Sequence, residues 1–582
     1  MAEIFNFSGL IVSSRLHHNQ TIRMKSKRLL ITAGVILGGL IIAWIVFGGS
    51  KKHLKLIPFD AKVVVTLDVK SLHKKMDTDK IKEMSWFKEN FDNDEGRNSD
   101  GLPKVLATIL KEKRGSGVDV FSNMYGYSHN VNGQDYVAFV FAISDQDDFE
   151  KTISQSGKDI GVISKDSYKM ARVSGSTMAW NSFGGIIFNE PSRYDFNEDD
   201  SNSDSWTVQF LDWTFGREKD TSILNSDSFD DYGDAKNDLS FFVNGTALYE
   251  EAMKNSGGVD ADVMRNMKFF QDTYILTDVD FKDNSIEINT HIESDNSEYD
   301  KIQFLKNEGL SAEHLKLITD KDIYALWSMN LDIESLYDYY KVLPGFSDAR
   351  NEILSELSIT EEQLKKAFGG ELSAALIGFR TITRDPFANM SPEDIEMYKQ
   401  FDMYEQLLEQ AKPHVVPVFT VNCSFSDKEL MHKIISKSDG LISIGEDGLY
   451  TLPGYLGFDV YLAETSIGCM LSNSRDIALK AKSGALGELP SFVEDLPSKN
   501  GMSFYTNTQF KQYPEDIQTE ITEMSSSMMP LFSYLALFEN VEITANEDKS
   551  LMKINLTEGE GNSLYRMFYQ GEMVFVSEKS MN

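Results

Sequence analysis

Histidine and cysteine, the side chains that most often bind metals or act as nucleophiles, are scarce in this sequence. Nine histidines and two cysteines, Cys423 and Cys469, occur among 582 residues. Two cysteines cannot supply the four ligands of a structural zinc site, and the histidines have no metal-ligand spacing. The sequence also lacks a strand-linked glycine loop of the Rossmann or P-loop type. We therefore assign no metal, no cofactor, and no catalytic or cofactor-binding residue.

Basic side chains are also few. The sequence has 57 Lys and Arg against 90 Asp and Glu, which gives a formal net charge of −33. Such a surface repels phosphate backbones, so we expect no binding to nucleic acid. The densest acidic run, residues 198–204, lacks the turn glycines of a calcium loop and is predicted to be a solvated loop. The apolar content of 41% is enough for folded cores.

One long segment has no charged side chain at all, and it lies near the N-terminus at residues 29–50. An apolar helix of about 22 residues spans a hydrocarbon core of about 30 Å. Residues 1–28 carry five basic side chains and one acidic one, so the positive-inside rule places them in the cytoplasm. The sequence therefore predicts a single-pass protein of a bacterial inner membrane, with most of its chain in the periplasm.

Two questions about this N-terminal region stay open. A cleaved signal peptide is the alternative to an anchor, although its apolar stretch is usually only about 7–15 residues long. Met24 is an alternative start to Met1, because a short basic segment follows it directly. No cysteine lies near the apolar segment, which removes a lipid anchor attached through cysteine.

Downstream of the anchor, the chain contains an internal duplication. Five short landmarks recur in the same order, and they are strand ends, helix starts and hairpin strands. The matched segments are 67–72 with 331–336, 143–145 with 425–427, 185–189 with 468–472, 240–244 with 503–507, and 287–289 with 553–555. The sequence therefore predicts four regions: a cytoplasmic basic tail (1–28), the anchor (29–50), and two repeats (52–310 and 320–582).

Each repeat mixes strands and helices without regular βαβ alternation. The patterns predict strands at 63–69, 136–143, 324–331 and 415–425, helices at 148–154 and 428–436, and hairpins at 274–292 and 540–556. Thr360 and Gln363 form a predicted capping box. The fold class that follows is α+β, with an N-terminal transmembrane helix and two duplicated modules that have largely antiparallel sheets.

The two cysteines lie in alternating apolar stripes, so both thiols are predicted to face one core. Outside the cytoplasm they could form a disulfide if their strands are neighbours, and two buried free thiols are the alternative. The duplication predicts that Cys469 corresponds to Ile186 and that Cys423 corresponds to Phe141.

Several short motifs resemble those of a known family. They are Ile57-Pro58-x-Asp60-Ala61 before a Val-rich strand, Lys70-Ser71-Leu72, Ser116-Gly117-Val118-Asp119, and Ser144-Asp145 before a helix. This order resembles a family of Bacteroidota envelope proteins with a domain of unknown function, over about residues 55–580. The resemblance implies exported proteins that are commonly lipid-anchored through a cysteine, and the apparent transmembrane anchor departs from that pattern. It implies no activity and no functional residues.

One set of motifs suggests an enzyme. Ser71-x-x-Lys74, Ser294-Asp295-Asn296 and Lys482-Ser483-Gly484 match in order the motifs of penicillin-binding proteins and serine β-lactamases. However, the second motif follows a hairpin strand, and the third lies at a predicted helix end, whereas the chemistry requires it on a strand.

We therefore predict a non-catalytic, membrane-anchored periplasmic envelope protein that binds or scaffolds a partner, with no residue assigned to a site. The alternative is a periplasmic serine hydrolase of the penicillin-binding type that uses Ser71 and Lys74. A third hypothesis is a hydrophobic or peptide ligand bound between the repeats. The partner, an unknown envelope protein or ligand, and the oligomeric state are not assigned.

Overall fold

The structure, a computed structural model, describes most of the chain after the predicted anchor. The described residues are 51–88, 115–119, 122–131, 134–155, 160–173, 176–189, 201–233, 237–255, 268–300, 303–318, 323–341, 345–383, 390–400, 404, 414–437, 442–454, 458–486, 489–524 and 536–581. The predicted basic tail and transmembrane segment lie outside these residues and stay predictions. Within the described ranges, no helix has the length and apolar character that a membrane span requires.

The chain divides into two compact units, Met1–Ser240 (unit one) and Phe241–Asn582 (unit two). In unit one the described strands are β1 (Val63–Leu67), β2 (Met124–Val131), β3 (Gln134–Phe141), β4 (Ile163–Ser164), β5 (Lys169–Val173), β6 (Ser176–Trp180) and β7 (Gly185–Asn189). Antiparallel pairing connects them in the order β1-β2-β3-β7-β6-β5-β4. The described helices are α1 (Val69–Met76), α2 (Thr78–Glu83), α3 (Ser85–Phe87), α4 (Gln146–Gln155), α5 (Ser201–Phe215) and α6 (Asp227–Gly233).

The core of unit one is aromatic. Trp180 is fully buried, and its ring meets that of Phe149 on α4 edge to face, with centroids 5.2 Å apart. Phe141 on β3 packs against the same ring of Phe149 at 5.6 Å. All five residues of β6, which ends at Trp180, are buried, so both faces of this strand are covered.

Strand β8 (Leu239–Asn244) crosses the boundary between the units, and twelve further strands are described in unit two. They are β9 (Thr273–Phe281), β10 (Ser285–Ser294), β11 (Ala325–Asn330), β12 (Phe368–Ile382), β13 (His414–Phe425), β14 (Ser443–Ile444), β15 (Tyr450–Leu452), β16 (Val460–Glu464), β17 (Gly468–Ser472), β18 (Met502–Asn507), β19 (Phe538–Ala545) and β20 (Lys549–Leu556). Their order is β9-β10-β20-β19-β18-β11-β12-β13-β17-β16-β15-β14, again antiparallel throughout. The predicted α+β class with a large antiparallel sheet is confirmed.

The helices of unit two precede, separate and follow these strands along the chain. Those described are α7 (Gly245–Asn255), α8 (Ser297–Asp300), α9 (Ala312–Leu315), α10 (Ile333–Tyr340), α11 (Phe346–Leu357), α12 (Glu361–Ala367), α13 (Pro392–Gln400), α14 (Lys428–Ser436), α15 (Arg475–Ser483), α16 (Ser491–Lys499), α17 (Glu515–Met524) and α18 (Ser563–Met581). The predicted capping box starts α12, where Thr360 and Gln363 bond each other's backbone N–H groups. Near the start of β12, where the register shifts between Phe368 and Leu372, Gly370 has a φ of +91° that favours glycine and lies close to the Leu331 carbonyl.

The strand order of unit one recurs within unit two, where β11-β12-β13-β17-β16-β15-β14 follows the same path as β1-β2-β3-β7-β6-β5-β4. The helix starts agree as well. The carboxylate of Asp68 caps α1 by accepting from the Ser71 N–H, and that of Asp332 caps α10 by accepting from the Ser335 N–H. Asp145 and Asp427 similarly accept from N–H groups at the starts of α4 and α14.

The two units do not divide at the predicted boundary near residues 310–320. The hairpin of β9 and β10, predicted to end the first repeat, pairs through β10 with β20, so that Ile288 lies opposite Met552. These ladder hydrogen bonds hold the hairpin within unit two. That residues 52–310 and 320–582 are two copies of one duplicated module stays a prediction.

One local prediction needs correction. The acidic run at 198–204 is predicted to be a loop, and this is wrong for residues 201–204, because α5 begins at Ser201. The match of Cys423 to Phe141 stays a prediction. Cys423 lies opposite Cys469, whereas Phe141 lies opposite Gly185 and Val140 lies opposite Ile186.

The two thiols are free and half-buried, although they are direct cross-strand neighbours. Burial raises the pKa of both thiols. It raises the pKa of Cys469 to about 12, with a contribution from the nearby Cys423. Of the two alternatives for these residues, the structure has the free thiols, which are half-buried and stay protonated at neutral pH.

Candidate functional site

The proposed nucleophile Ser71 lies in the first turn of α1, but its hydroxyl is already engaged. Ser71 Oγ donates to Asp238 Oδ1 at 2.6 Å, and Lys75 Nζ donates to Asp238 Oδ2 at 2.7 Å. The Asp238 side chain is fully buried, whereas Lys74 is exposed. The lysine that shares a partner with Ser71 is therefore Lys75. The network joins the start of α1 to the segment that leads into β8.

The other two motifs of the enzyme hypothesis also have local structural roles. Asn296 donates from its side-chain amide to the carbonyls of Lys268 and Gln271, and so holds the turn after β10. Lys482 lies at the end of α15, as predicted, and donates to the carbonyls of Asp447 and Gly448. These bonds account for each motif without catalysis.

A second serine, which the sequence did not single out, has the neighbours of a hydrolase nucleophile. His314 Nε2 lies 3.0 Å from Ser373 Oγ on β12, and His314 Nδ1 lies 3.6 Å from Glu371 Oε2. Serine, histidine and carboxylate follow one another here in the order of a catalytic triad. His314 lies far from Glu371 and Ser373 in the sequence, so the spacing of the three residues does not indicate that they are in contact.

Burial argues that this Ser373–His314–Glu371 network is structural. His314 is 0% exposed and Ser373 is 1% exposed, so a substrate carbonyl cannot reach the hydroxyl. Ser373 also accepts a hydrogen bond from the Asn422 amide at 3.1 Å. Glu371 accepts from both the backbone N–H and the hydroxyl of Ser311, the N-cap of α9. The network thereby fastens α9 to the sheet.

Acid is expected to weaken this network. Burial raises the pKa of Glu371, but hydrogen bonds from His314 and Ser311 lower it more, so the net pKa is below its usual value. A lowered carboxyl pKa contributes stability above the unfolded-state pKa, and that stability is lost as pH falls through the folded-state pKa. We expect wild type to lose more unfolding free energy than Glu371→Gln when pH falls below about 4.3. Urea titrations of both proteins across this range measure the difference, and parallel stability curves would contradict the prediction.

Unit one contains the cluster best suited to recognise a ligand, which we call the Arg217 cluster (Tyr127, His129, Tyr136, Trp206, Phe210, Trp213 and Arg217). Its frame is aromatic. Phe210 on α5 is 1% exposed, and its ring centroid is 4.5 Å from that of Tyr136 on β3. Trp206 stacks on Phe210 at 5.5 Å. One turn further along α5, Trp213 is 42% exposed and stacks on His129, with ring centroids 5.5 Å apart.

Arg217 enters this frame directly after α5 ends, and only 4% of it is exposed. Its guanidinium carbon lies 3.9 Å from the centroid of the Trp213 ring, and Nη1 donates to the Leu56 carbonyl. Nε and Nη2 are buried without a hydrogen-bond partner, as are the hydroxyls of Tyr127 and Tyr136. Among the described residues, no carboxylate forms an ion pair with Arg217. The carboxylate of Asp60 raises the pKa of Arg217 through its negative charge, but the Asp60 side chain is 68% exposed.

The protonation states of the cluster follow from its burial. Burial raises the pKa of Tyr127 to about 12, against the lowering effect of the Arg217 charge, and raises that of Tyr136 well above its usual value. Both hydroxyls therefore keep their protons at neutral pH. Burial also lowers the pKa of Arg217, although the negative charge of Asp60 raises it. The pKa of His129 is lowered by burial and by the Arg217 charge, and it is likewise raised by Asp60. Histidine is thus neutral here, and Arg217 is the one cation among the seven residues of the cluster, while the charge of the nearby Lys62 also acts on His129.

Two features conceal this cluster in the sequence. Trp206, Phe210 and Trp213 have the spacing of one helix face, but the acidic run before them is typical of a loop. The unpartnered state of Arg217 has no sequence signal, because it depends on which side chains the fold brings near. Within the described ranges, no group of three or more potential metal ligands occurs.

Comparison with known proteins gives a family match. A family model described as a domain of unknown function (DUF4836) matches residues 54–451. No curated protein matches the chain significantly. Among solved structures, crystal forms I and III of TP0453 match with 9% identity and a TM-score of 0.23, over 43% of this chain and 81% and 82% of theirs. A TM-score this low supports no inference about fold or function.

Proposed function

The chain belongs to the DUF4836 family of unknown function, and from this premise we propose a non-catalytic envelope protein that binds a partner or ligand. In this proposal residues 29–50 anchor the chain in a bacterial inner membrane, and the acidic bulk faces the periplasm. The anchor is supported by the apolar, charge-free segment and the basic residues before it. The resemblance to Bacteroidota envelope proteins supports an exported protein.

The observation that carries the binding role is the set of buried, unused donors around Arg217. Buried polar groups are nearly always hydrogen-bonded, so each exception requires an explanation. Four such atoms converge here from three elements: two guanidinium nitrogens after α5, and hydroxyls on β2 and β3. A few polar groups set among aromatic side chains are typical of small-molecule sites.

The hydroxyl of Ser71 supports a non-catalytic role, because it donates to a buried carboxylate that is already paired with Lys75, and not to the lysine that the alternative hypothesis requires. Lys74, the base of the alternative hypothesis, is exposed on the surface of α1. Covalent labelling by a fluorescent penicillin that Ser71→Ala abolishes would contradict this part of the proposal and favour the serine hydrolase.

We also infer that the two α+β modules arose by duplication. The support is the shared strand order and the four aspartates that cap equivalent helices, which are the features that determine a chain path. Superposing residues 63–189 on residues 325–472 is the direct comparison. Asp68 and Asp332 are expected to coincide.

The compartment is tested by topology reporters. A reporter that is active only in the periplasm, fused after Asn582, is expected to be active, because the basic flank holds residues 1–28 in the cytoplasm. The same fusion without residues 29–50 is the matched control and is expected to be silent. A silent full-length fusion, together with an active cytoplasmic reporter at the same position, would overturn the proposed orientation.

A further inference from the structure

We propose that the Arg217 cluster is a binding site for a small molecule that carries a single carboxylate. This inference deepens the proposed binding role and rests on it, by naming the site and the chemical class of its ligand. It does not depend on the orientation of the chain in the membrane.

The two guanidinium nitrogens without a full hydrogen bond indicate which chemical group of the ligand Arg217 would bind. Nε and Nη2 lie on one edge of the planar guanidinium, and their two N–H bonds point in nearly the same direction. This edge matches the two oxygens of a carboxylate, which it can bind through two parallel hydrogen bonds. Nη1, on the opposite side, is occupied by the Leu56 carbonyl. The backbone therefore binds Nη1, whereas the edge formed by Nε and Nη2, which can make two parallel hydrogen bonds, has no hydrogen-bond partner.

The two tyrosines complete the set of donors. Tyr127 and Tyr136 lie on neighbouring strands, and their rings meet edge to face with centroids 5.9 Å apart. The Tyr127 hydroxyl interacts with both the Arg217 guanidinium and the Tyr136 hydroxyl, so the three polar groups are neighbours. These contacts fall short of full hydrogen-bond geometry, which leaves each group only partly satisfied within the protein. An anion held by Arg217 would supply the missing acceptor to all three side chains.

Charge balance selects a monoanion. A buried guanidinium without a counterion is strongly unfavourable, because the low dielectric of the interior does not replace its hydration. The carboxylate of Asp60 is 68% exposed and lies 3.7 Å from His129, so it does not fill the Arg217 edge. One carboxylate neutralises one guanidinium. A phosphate dianion would leave an excess negative charge among aromatic side chains.

Trp213 marks the side from which the ligand approaches. It is 42% exposed, and it contacts both the buried guanidinium and the His129 ring. Its indole therefore lies between solvent and the buried guanidinium. An aromatic or aliphatic body attached to the carboxylate can cover this ring, so benzoate is expected to bind more tightly than acetate.

The test uses the full chain in detergent and follows its thermal midpoint in acetate, benzoate and inorganic phosphate at constant ionic strength. A ligand that binds only the folded protein raises the midpoint with a saturating dependence on concentration. Benzoate and acetate are expected to give this response, and phosphate a smaller one. Arg217→Gln is expected to lose it, whereas Arg172→Gln, which changes an exposed arginine of the same unit, keeps it.

Tyr127→Phe provides a second, milder variant that keeps the ring and removes only the hydroxyl. It is expected to weaken benzoate binding by about tenfold, the usual effect of losing one hydrogen bond to a charged group. This variant decides the matter if Arg217→Gln does not fold. Equal, non-saturating rises in wild type and in the variants would show a general salt effect and overturn the site. That result would leave the reporter test of topology unaffected.

Discussion

Replacing Asp238 by alanine is expected to lower the free energy of unfolding by about 3 kcal/mol, the scale for removing one partner of a buried ion pair. Asp238 is fully buried and accepts hydrogen bonds from both the Ser71 hydroxyl and the Lys75 ammonium. Without the carboxylate, the Ser71 hydroxyl loses its acceptor. Lys75 is 24% exposed at its side chain, so water can partly solvate it, which limits the loss.

Lys74→Ala is the matched control for this prediction, since Lys74 neighbours Lys75 in sequence but points to solvent. A surface substitution of this kind changes stability by about 0.5 kcal/mol or less. Guanidinium titrations followed by circular dichroism measure both variants. If Lys74→Ala were as destabilising as Asp238→Ala, the assignment of Lys75 to the buried network would be wrong.

A second large effect is expected from Phe210→Ala, which should destabilise the protein by about 4 kcal/mol, as deletion of a buried ring does. The Phe210 ring lies against Tyr136, Phe188 and Trp206, with centroids 4.5, 4.8 and 5.5 Å away. Its removal leaves a cavity in the frame of the Arg217 cluster. The surrounding strands and helix cannot close this cavity without losing other contacts.

Trp213→Ala is the control on the same helix face. Trp213 is larger than Phe210 but 42% exposed, so its removal loses mainly the stacking on His129 and the contact with Arg217. The expected cost is about 1 kcal/mol, the scale of an exposed cation–π contact. Comparable losses from the two variants would mean that α5 does not pack as described.

Three polar clusters in this protein show why residue types alone do not define a site. Ser71 and Ser373 both lie beside groups that could activate a hydroxyl, yet each is engaged in a bond that holds a helix in place. The Arg217 cluster differs because its buried cation has no carboxylate partner among the described residues and keeps two guanidinium nitrogens without a full hydrogen bond. A buried charge without a counterion is costly, so this cluster is a better candidate for a ligand site than the two serine networks.

The sequence by itself determined the elements whose causes are local. The helix predicted at 428–436 is α14, with the same bounds, because Asp427 caps it and apolar side chains recur on one face. The Thr360 capping box formed as predicted for the same reason. The predicted hairpin strands became β9, β10, β19 and β20, since period-two alternation and turn residues act over only a few positions.

Tertiary structure alone decided what depends on distant residues. It selected Lys75 rather than Lys74 as the partner of Asp238, and it placed His314 against Ser373. It also placed Cys423 opposite Cys469, because register is determined by long-range strand pairing. The Arg217 cluster could not be predicted, since it exists only where α5, β2 and β3 meet. Contacts between residues far apart in sequence are determined by packing, and no local pattern encodes them.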